Sequence, residues 1–403
     1  MREVRVDELD PTEEVLSRLN SLAGWFPVLQ DLSWGCTESN LPYANLFFSP
    51  HLERVSIHTP CPTTGFKDPP KFRATIASTF STLPVSTLQS LSVEIRFVTD
   101  STDFKDFPSS LVLRCGSSLT KFTSTIPLSN TAVNHLVHLP RLRTWHVKGS
   151  PPNYSASSLP LAFPPLEEFT SEGDAAHKWL SLFGPLEDNV LTVQGVTPLH
   201  KMKNSLKTLK IEDTFGPAIN ISSISSIQVF HNLINLNVWG HDEDREDLCT
   251  FGLNNDNVTE LAMALPRLES LLLGRPCAKN ICSTNVACLL PISVHCVKLQ
   301  KLQVHFNTTN IVGDLKNISE DPRFQELWSL PKCVLSHLDV WRIPLTLNEF
   351  SLKIVADGMI AIFPSLECCP GLGGGPQGML GWRELSEKIA RLREMRTLPV
   401  CRQ

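Results

Sequence analysis

No apolar run in this 403-residue sequence is long enough to span a membrane. The first residues, Met1-Arg2-Glu3-Val4-Arg5, are charged, so no export signal is read there. There is no long basic run. Thirty-six Lys and Arg against forty-one Asp and Glu leave a net charge of −5, which excludes the electrostatic footprint of a nucleic-acid binder. The one local basic cluster, Lys201, Lys203, Lys207 and Lys210, reads as a solvated face. Twelve cysteines are too few to scaffold so long a chain with disulfides. These absences point to a reduced compartment, cytoplasm or nucleus, with free thiols packed as small apolar groups. The Asn-x-Ser/Thr triplets at Asn153, Asn220, Asn257, Asn307 and Asn317 are then chance matches in a chain rich in Ser and Thr.

Catalytic and ligand-binding signatures are equally sparse. Cys277, Cys282, Cys288 and Cys296, with His295, are the nearest thing to a metal cluster. Their spacings lack the two-residue hairpin that structural zinc prefers, and they read as buried thiols. Gly373 to Gly378 formally fits G-x-G-x-x-G. Pro376 removes an amide donor where phosphate would be cradled, and too little chain follows for a second parallel strand. A flexible exit loop is the expectation, with a nucleotide-binding enzyme as the remote alternative. His135 and His138 lie on one predicted helix without a third ligand, and the acidic run Asp242 to Asp247 reads as a solvated loop. No catalytic, cofactor-binding or metal-binding residue is assigned, and the chain is read as non-enzymatic.

What is present is a phrase that returns twelve times: apolar, two variable residues, apolar, one variable residue, apolar. It reads Leu29-Gln30-Asp31-Leu32-Ser33-Trp34, Leu88-Gln89-Ser90-Leu91-Ser92-Val93 and Leu268-Glu269-Ser270-Leu271-Leu272-Leu273. The leading leucines fall at 29, 52, 88, 119, 142, 166, 206, 233, 268, 299, 335 and 366. Their mean spacing of about 31 residues is that of a solenoid unit. The last apolar pair alternates with variable residues, which is strand periodicity. One such strand cannot bury its apolar face alone, but parallel stacking of neighbours gives a continuous sheet with a core behind it.

The segments between phrases have helical signals. Asp10-Pro11-Thr12-Glu13 combines a cap, a first-turn proline and a capping-box glutamate, ahead of Val15, Leu16, Leu19 and Leu22 on one face. Asn257-Val258-Thr259-Glu260 and Thr346-Leu347-Asn348-Glu349 repeat the capping-box pattern. At the end, Trp382, Leu385, Ile389, Leu392 and Met395 form an apolar stripe, with Glu384–Lys388 and Glu387–Arg391 spaced as i,i+4 pairs. A helix over 382–403 that caps the last repeat is expected. The unit is helix, short turn, strand, with parallel connections.

The phrase resembles the strand half of a leucine-rich repeat from about Asp10 to about Cys369. The joints Leu139-Pro140-Arg141-Leu142, Leu265-Pro266-Arg267-Leu268 and Phe363-Pro364-Ser365-Leu366 are similar to the irregular repeat region of fungal, chiefly basidiomycete, F-box-type proteins. The resemblance implies an α/β leucine-rich repeat solenoid, an arc or horseshoe with parallel strands on its concave face and helices on its convex face. The consensus asparagine after the strand is present at Asn307 but replaced at Thr37, Thr214 and Ile343, so a regular asparagine ladder is not expected.

Three segments follow: 1–369 as the solenoid, 370–381 as a glycine-rich loop, and 382–403 as the capping helix. By resemblance the function is the substrate-recruiting repeat arm of an F-box ubiquitin-ligase receptor. No Leu-Pro-x-Glu phrase precedes Pro11, so a Skp-type adaptor and cullin are partners only if an F-box is supplied elsewhere. A stand-alone or truncated repeat scaffold is the alternative. By register, the variable positions His146, Lys148, Lys210, Glu212, Asn237, Trp239, Gln303, His305, Asp339 and Trp341 lie on the strand face. Of these, His146, Lys148, Lys210, Asn237, Trp239, His305, Asp339 and Trp341 are the candidate protein-binding residues, the tryptophans as potential anchors.

Overall fold

The structure is a computed structural model. It describes residues 3–6, 26–37, 40–59, 69–95, 106–148, 164–173, 176, 179, 200–213, 227–240, 252–274, 282–339, 345, 347–367 and 376–397. Twelve strands occupy the sheet: β1 Glu3–Val6, β2 Asp31–Gly35, β3 Arg54–His58, β4 Ser90–Glu94, β5 Lys121–Ser124, β6 Thr144–Lys148, β7 Glu168–Glu172, β8 Thr208–Asp213, β9 Asn235–Gly240, β10 Ser270–Leu273, β11 Lys301–Val304 and β12 His337–Asp339. Their order in the sheet is their order in the chain. Parallel pairing runs from β1 to β6 and again from β8 to β12. Parallel neighbours in chain order, joined by helices, make this the α/β repeat solenoid the phrase predicts.

The chain divides into two compact units. One comprises Met1–Ser171 with Gly195–Ser205, the other Glu172–Gln194 with Leu206–Gln403. In both, the three apolar positions of the phrase are core. Leu29, Leu32 and Trp34 are buried, as are Leu88, Leu91 and Val93 in the first unit and Leu268, Leu271 and Leu273 in the second. Register is locked at the residue before each strand, where one carbonyl receives two successive amides from the next repeat. The Gln30 carbonyl accepts from the amides of Glu53 and Arg54, at 2.8 and 3.0 Å, and the Glu269 carbonyl from those of Gln300 and Lys301, at the same distances. A one-residue slip would break these pairs and turn the apolar face outward.

The ends differ from expectation. β1 carries no leucine phrase, only Val4 and Val6 in alternation, and pairs in parallel with β2. The strand positions of the twelfth phrase, from residue 368 on, lie outside the described residues; before them, the Glu367 amide donates to the Ser336 carbonyl at 2.8 Å. The helix expected over 10–24 lies outside the described residues.

Two helix starts also move. The helix Asn255–Ala264 begins before the expected Asn257 cap. Asn254 is the cap and Asn257 its third helical residue; each side chain accepts the other's backbone amide, at 2.9 and 3.1 Å. Asn257 is thereby buried in the box, which closes that triplet to glycosylation. The helix Glu349–Ile362 is capped by Asn348, whose side chain accepts from the Ser351 amide, not by Thr346. Asparagine caps at least as well as threonine, and here it lies closer to the apolar run.

Asparagines also bridge neighbouring repeats in the second unit. Asn255 donates to the Asn285 side chain at 2.8 Å, and the Asn285 amide donates back to the Asn255 side chain at 3.0 Å. Asn285 pairs with Asn307 in an isolated parallel bridge. The side-chain bridge between repeats is thus the Asn255–Asn285 pair, at two helix starts and not at the consensus position.

The last helix runs Pro376–Thr397, opening six residues before the expected 382. Gly378 and Gly381 lie inside it, and proline is a normal first-turn residue. Trp382, Leu385 and Ile389 are buried, whereas Met395 is 61% exposed, so the apolar stripe is covered only through its first turns. Trp382 meets Phe306 edge-on at 6.4 Å. Arg393 donates to the carbonyls of Ser365 and Leu366 at 3.0 and 3.2 Å, and Glu387–Arg391 forms an i,i+4 pair at 3.9 Å.

Candidate functional site

The variable positions of the strands stand in straight rows, because parallel strands in register place equivalent residues side by side. In the first unit the middle row is Arg5, Ser33, Ser56, Ser92, Thr123 and His146. Sequence reasoning singled out only His146 from this row. The hydroxyls before it were legible as the third variable position of each phrase. The adjoining row starts with Glu3, passes through the ion pair of Asp31 and Arg54 and then Ser90 and Lys121, and ends at Thr144. His146 is half-buried and Lys148, at the end of β6, is exposed.

In the second unit one row is Lys210, Asn237, Leu272, Gln303 and Asp339, and the row beside it is Thr208, Asn235, Ser270, Lys301 and His337. Lys210 lies between two carboxylates, 2.9 Å from Glu212 and 3.3 Å from Glu172. Partial burial pulls the Lys210 ammonium down, but Glu212 and then Glu172 outweigh it and the net shift is upward. The Asn237 side-chain oxygen is buried without a hydrogen-bond partner, and Leu272 is a half-buried apolar residue in an otherwise polar row. Glu172 was missed because its repeat is a weak copy of the phrase.

One candidate departs from its expected position. His305 does not lie on the strand face: it follows the end of β11 and is 3% exposed. The chain turns inward there, with Phe306 fully buried and the Thr284 hydroxyl donating to the His305 carbonyl at 2.7 Å. Trp239 holds a place in β9 opposite Glu212. Trp341 and the acidic run 242–247 lie outside the described residues.

Replacing Lys210 by methionine leaves Glu172 and Glu212 facing each other. A loss of about 1 kcal/mol is expected at low salt, shrinking as salt rises. Because the folded-state pKa of Lys210 is raised, its stabilisation is complete at neutral pH and fades as pH climbs through that raised value. Urea denaturation of wild type and Lys210→Met across salt and alkaline pH checks both trends.

The described thiols are packed away, while Cys277 of the candidate cluster lies outside the described residues. Cys36, Cys115, Cys282, Cys288, Cys296 and Cys333 are buried and free. Burial pushes Cys115, Cys288 and Cys296 up to about 12 and Cys333 to about 11, and moves Cys36 in the same direction. Burial also pulls His295 down. With a pKa near 12, on the order of 10⁻⁴ of a thiol is ionised at pH 8. These six cysteines are expected to resist iodoacetamide in the native protein and react promptly in urea, as peptide mass spectrometry would read. Among the described residues no group of three His, Cys, Asp or Glu could hold a metal ion. His135 and His138 each hydrogen-bond a backbone carbonyl, of Cys115 and Asn134. No described helix is long and apolar enough to cross a membrane. Of the glycine motif, Pro376–Gly378 form the first turn of the last helix, and Gly373–Gly375 lie outside the described residues.

No protein-family profile and no curated protein matches the chain. Among solved structures it is similar to the leucine-rich repeat-containing protein LegL7 from Legionella pneumophila. The match has 10% identity, covers 68% of this chain and 82% of that one, and has a TM-score of 0.30.

Proposed function

We propose that this chain is a non-enzymatic protein-interaction scaffold that reads its partner with the variable face of its strands. The observation that carries this is the register. Side chains that differ from repeat to repeat stand in rows, on strands whose spacing is pinned by shared carbonyls. A surface held this way loses little conformational freedom on binding, so contacts made there convert efficiently into affinity. Specificity comes from the mixture: hydroxyls with His146 and Lys148 in one unit, and charged and amide groups around Leu272 in the other. The resemblance to F-box-type proteins gives the finer form, a substrate-recruiting arm of a cullin-type ubiquitin ligase that reaches a Skp-type adaptor through an F-box supplied elsewhere.

The test is quantitative affinity capture from lysate of the source organism. Wild type is compared with His146→Ala/Lys148→Ala, with Asn237→Ala/Asp339→Ala, and with Lys71→Ala on the exposed side of a helix. Partners lost in a strand-face variant and kept by Lys71→Ala are the expected result. Partners retained by both strand-face variants would overturn the reading. A Skp-type adaptor and cullin in the captured set support the ligase form, and their absence leaves a stand-alone scaffold.

A further inference from the structure

We infer that the first unit carries a second recognition site, a pocket that takes an arginine side chain of a protein partner where β2, β3 and β4 begin. It does not depend on the reading of the strand face, because its side chains precede the strands. The cavity has a volume of about 400 Å³. Its floor is a row of three residues in register, Gln30, Glu53 and Gln89, each the residue before its strand. A carboxylate thus stands between two carboxamides at the spacing of adjacent strands, about 4.8 Å.

The backbone carbonyls of this row are engaged. The Gln30 carbonyl holds the amides of Glu53 and Arg54, and the Glu53 carbonyl those of Gln89 and Ser90. The row's spacing is therefore fixed by its backbone. Among the described residues the Glu53 carboxylate makes no hydrogen bond or ion pair. The neighbouring cation, Arg54, is already bound to Asp31. The Thr87 hydroxyl, also in the wall, donates to the Leu52 carbonyl at 3.2 Å, so its proton is not offered to Glu53. The pocket holds one carboxylate, which is without a hydrogen bond but lies within electrostatic reach of Arg54, with His51 in its wall and two carboxamide oxygens able to accept.

Its apolar wall completes the complementarity. Val28 is 55% exposed and Pro50 is exposed beside it. A guanidinium presents five donors in a planar fork, enough for the carboxylate and the flanking amides together, while its methylene stem covers Val28 and Pro50. An ammonium is a point donor and uses fewer of these acceptors.

The probe is Nα-acetyl-arginine N-methylamide, titrated into the full chain and followed by the side-chain amide resonances of Gln30 and Gln89. A saturable shift with Kd on the order of 1 mM is expected. The citrulline analogue, equal in shape and uncharged, should give none. Glu53→Gln should weaken arginine binding by about tenfold, the scale of one lost charge-assisted hydrogen bond. Equal shifts with citrulline, unchanged affinity in Glu53→Gln, a lysine analogue that binds as tightly, or no saturable shift would each overturn the assignment. The citrulline comparison uses wild-type protein, so it does not rest on the variant folding.

Discussion

Trp145→Ala is expected to cost the first unit about 3–5 kcal/mol, the range for truncating a fully buried aromatic. Trp145 is 0% exposed in the middle of β6. It stands opposite Phe122 in the ladder and meets Phe169 edge-on at 5.6 Å. Those neighbours belong to the repeats on either side, and a repeat array has only nearest-neighbour contacts to hold it. The alanine would therefore leave a cavity that spans three repeats, with strands fixed by their shared carbonyls and unable to close it. A strand-face change such as Ser92→Ala, by contrast, removes only the hydroxyl contact to Glu94 and should stay within about 0.5 kcal/mol. Urea denaturation of both variants checks this. A loss below about 1 kcal/mol for Trp145→Ala would mean that the array relaxes around the void.

The same contrast marks how much of the molecule was legible in the sequence. The core was, because burial requires three apolar positions per repeat, and those positions are the phrase itself. Phrases one to eleven each lead into a strand of the sheet. The first strand escaped notice because Val4 and Val6 alone make no phrase. The strand positions of the twelfth phrase, from residue 368 on, lie outside the described residues. Helix starts were displaced for a local reason. Asn254 and Asn348 cap in place of the expected Asn257 and Thr346, because each side-chain oxygen reaches the amide three residues on, Asn257 and Ser351. The candidate face was legible as a set of positions, whereas its chemistry was not. That His305 turns inward is decided by the chain beyond β11. That Lys210 is held between Glu172 and Glu212 depends on a strand whose phrase is degenerate. The Gln30–Glu53–Gln89 row left no signal, because only the register shows that these residues are neighbours.

Gly381→Ala is expected to loosen the last helix from the second unit at a cost of about 2–4 kcal/mol, since the clash is with backbone. A Cβ at this position would lie 2.0 Å from the Leu345 carbonyl oxygen and 2.9 Å from its carbon. Main chain at that distance cannot rotate away, so the helix must move and withdraw Trp382 from Phe306. Gly358→Ala is the control. A Cβ there meets the side chain of Leu315, its two terminal methyls at 2.9 Å and its Cγ at 3.3 Å. A leucine side chain can shift, and alanine is favoured over glycine inside a helix by about 1 kcal/mol. Near-neutral stability is expected for Gly358→Ala. The two outcomes separate by limited trypsinolysis as well as by denaturation. Arg383, Lys388, Arg391 and Arg393 all lie on the helix Pro376–Thr397, and a helix held in place protects them from cleavage. Early cuts at these sites in Gly381→Ala, absent in wild type and Gly358→Ala, would show that the glycine serves close packing. Equal resistance in all three would mean that the helix tolerates a shift of its whole axis, and that its buried face is held by Trp382, Leu385 and Ile389 without that contact.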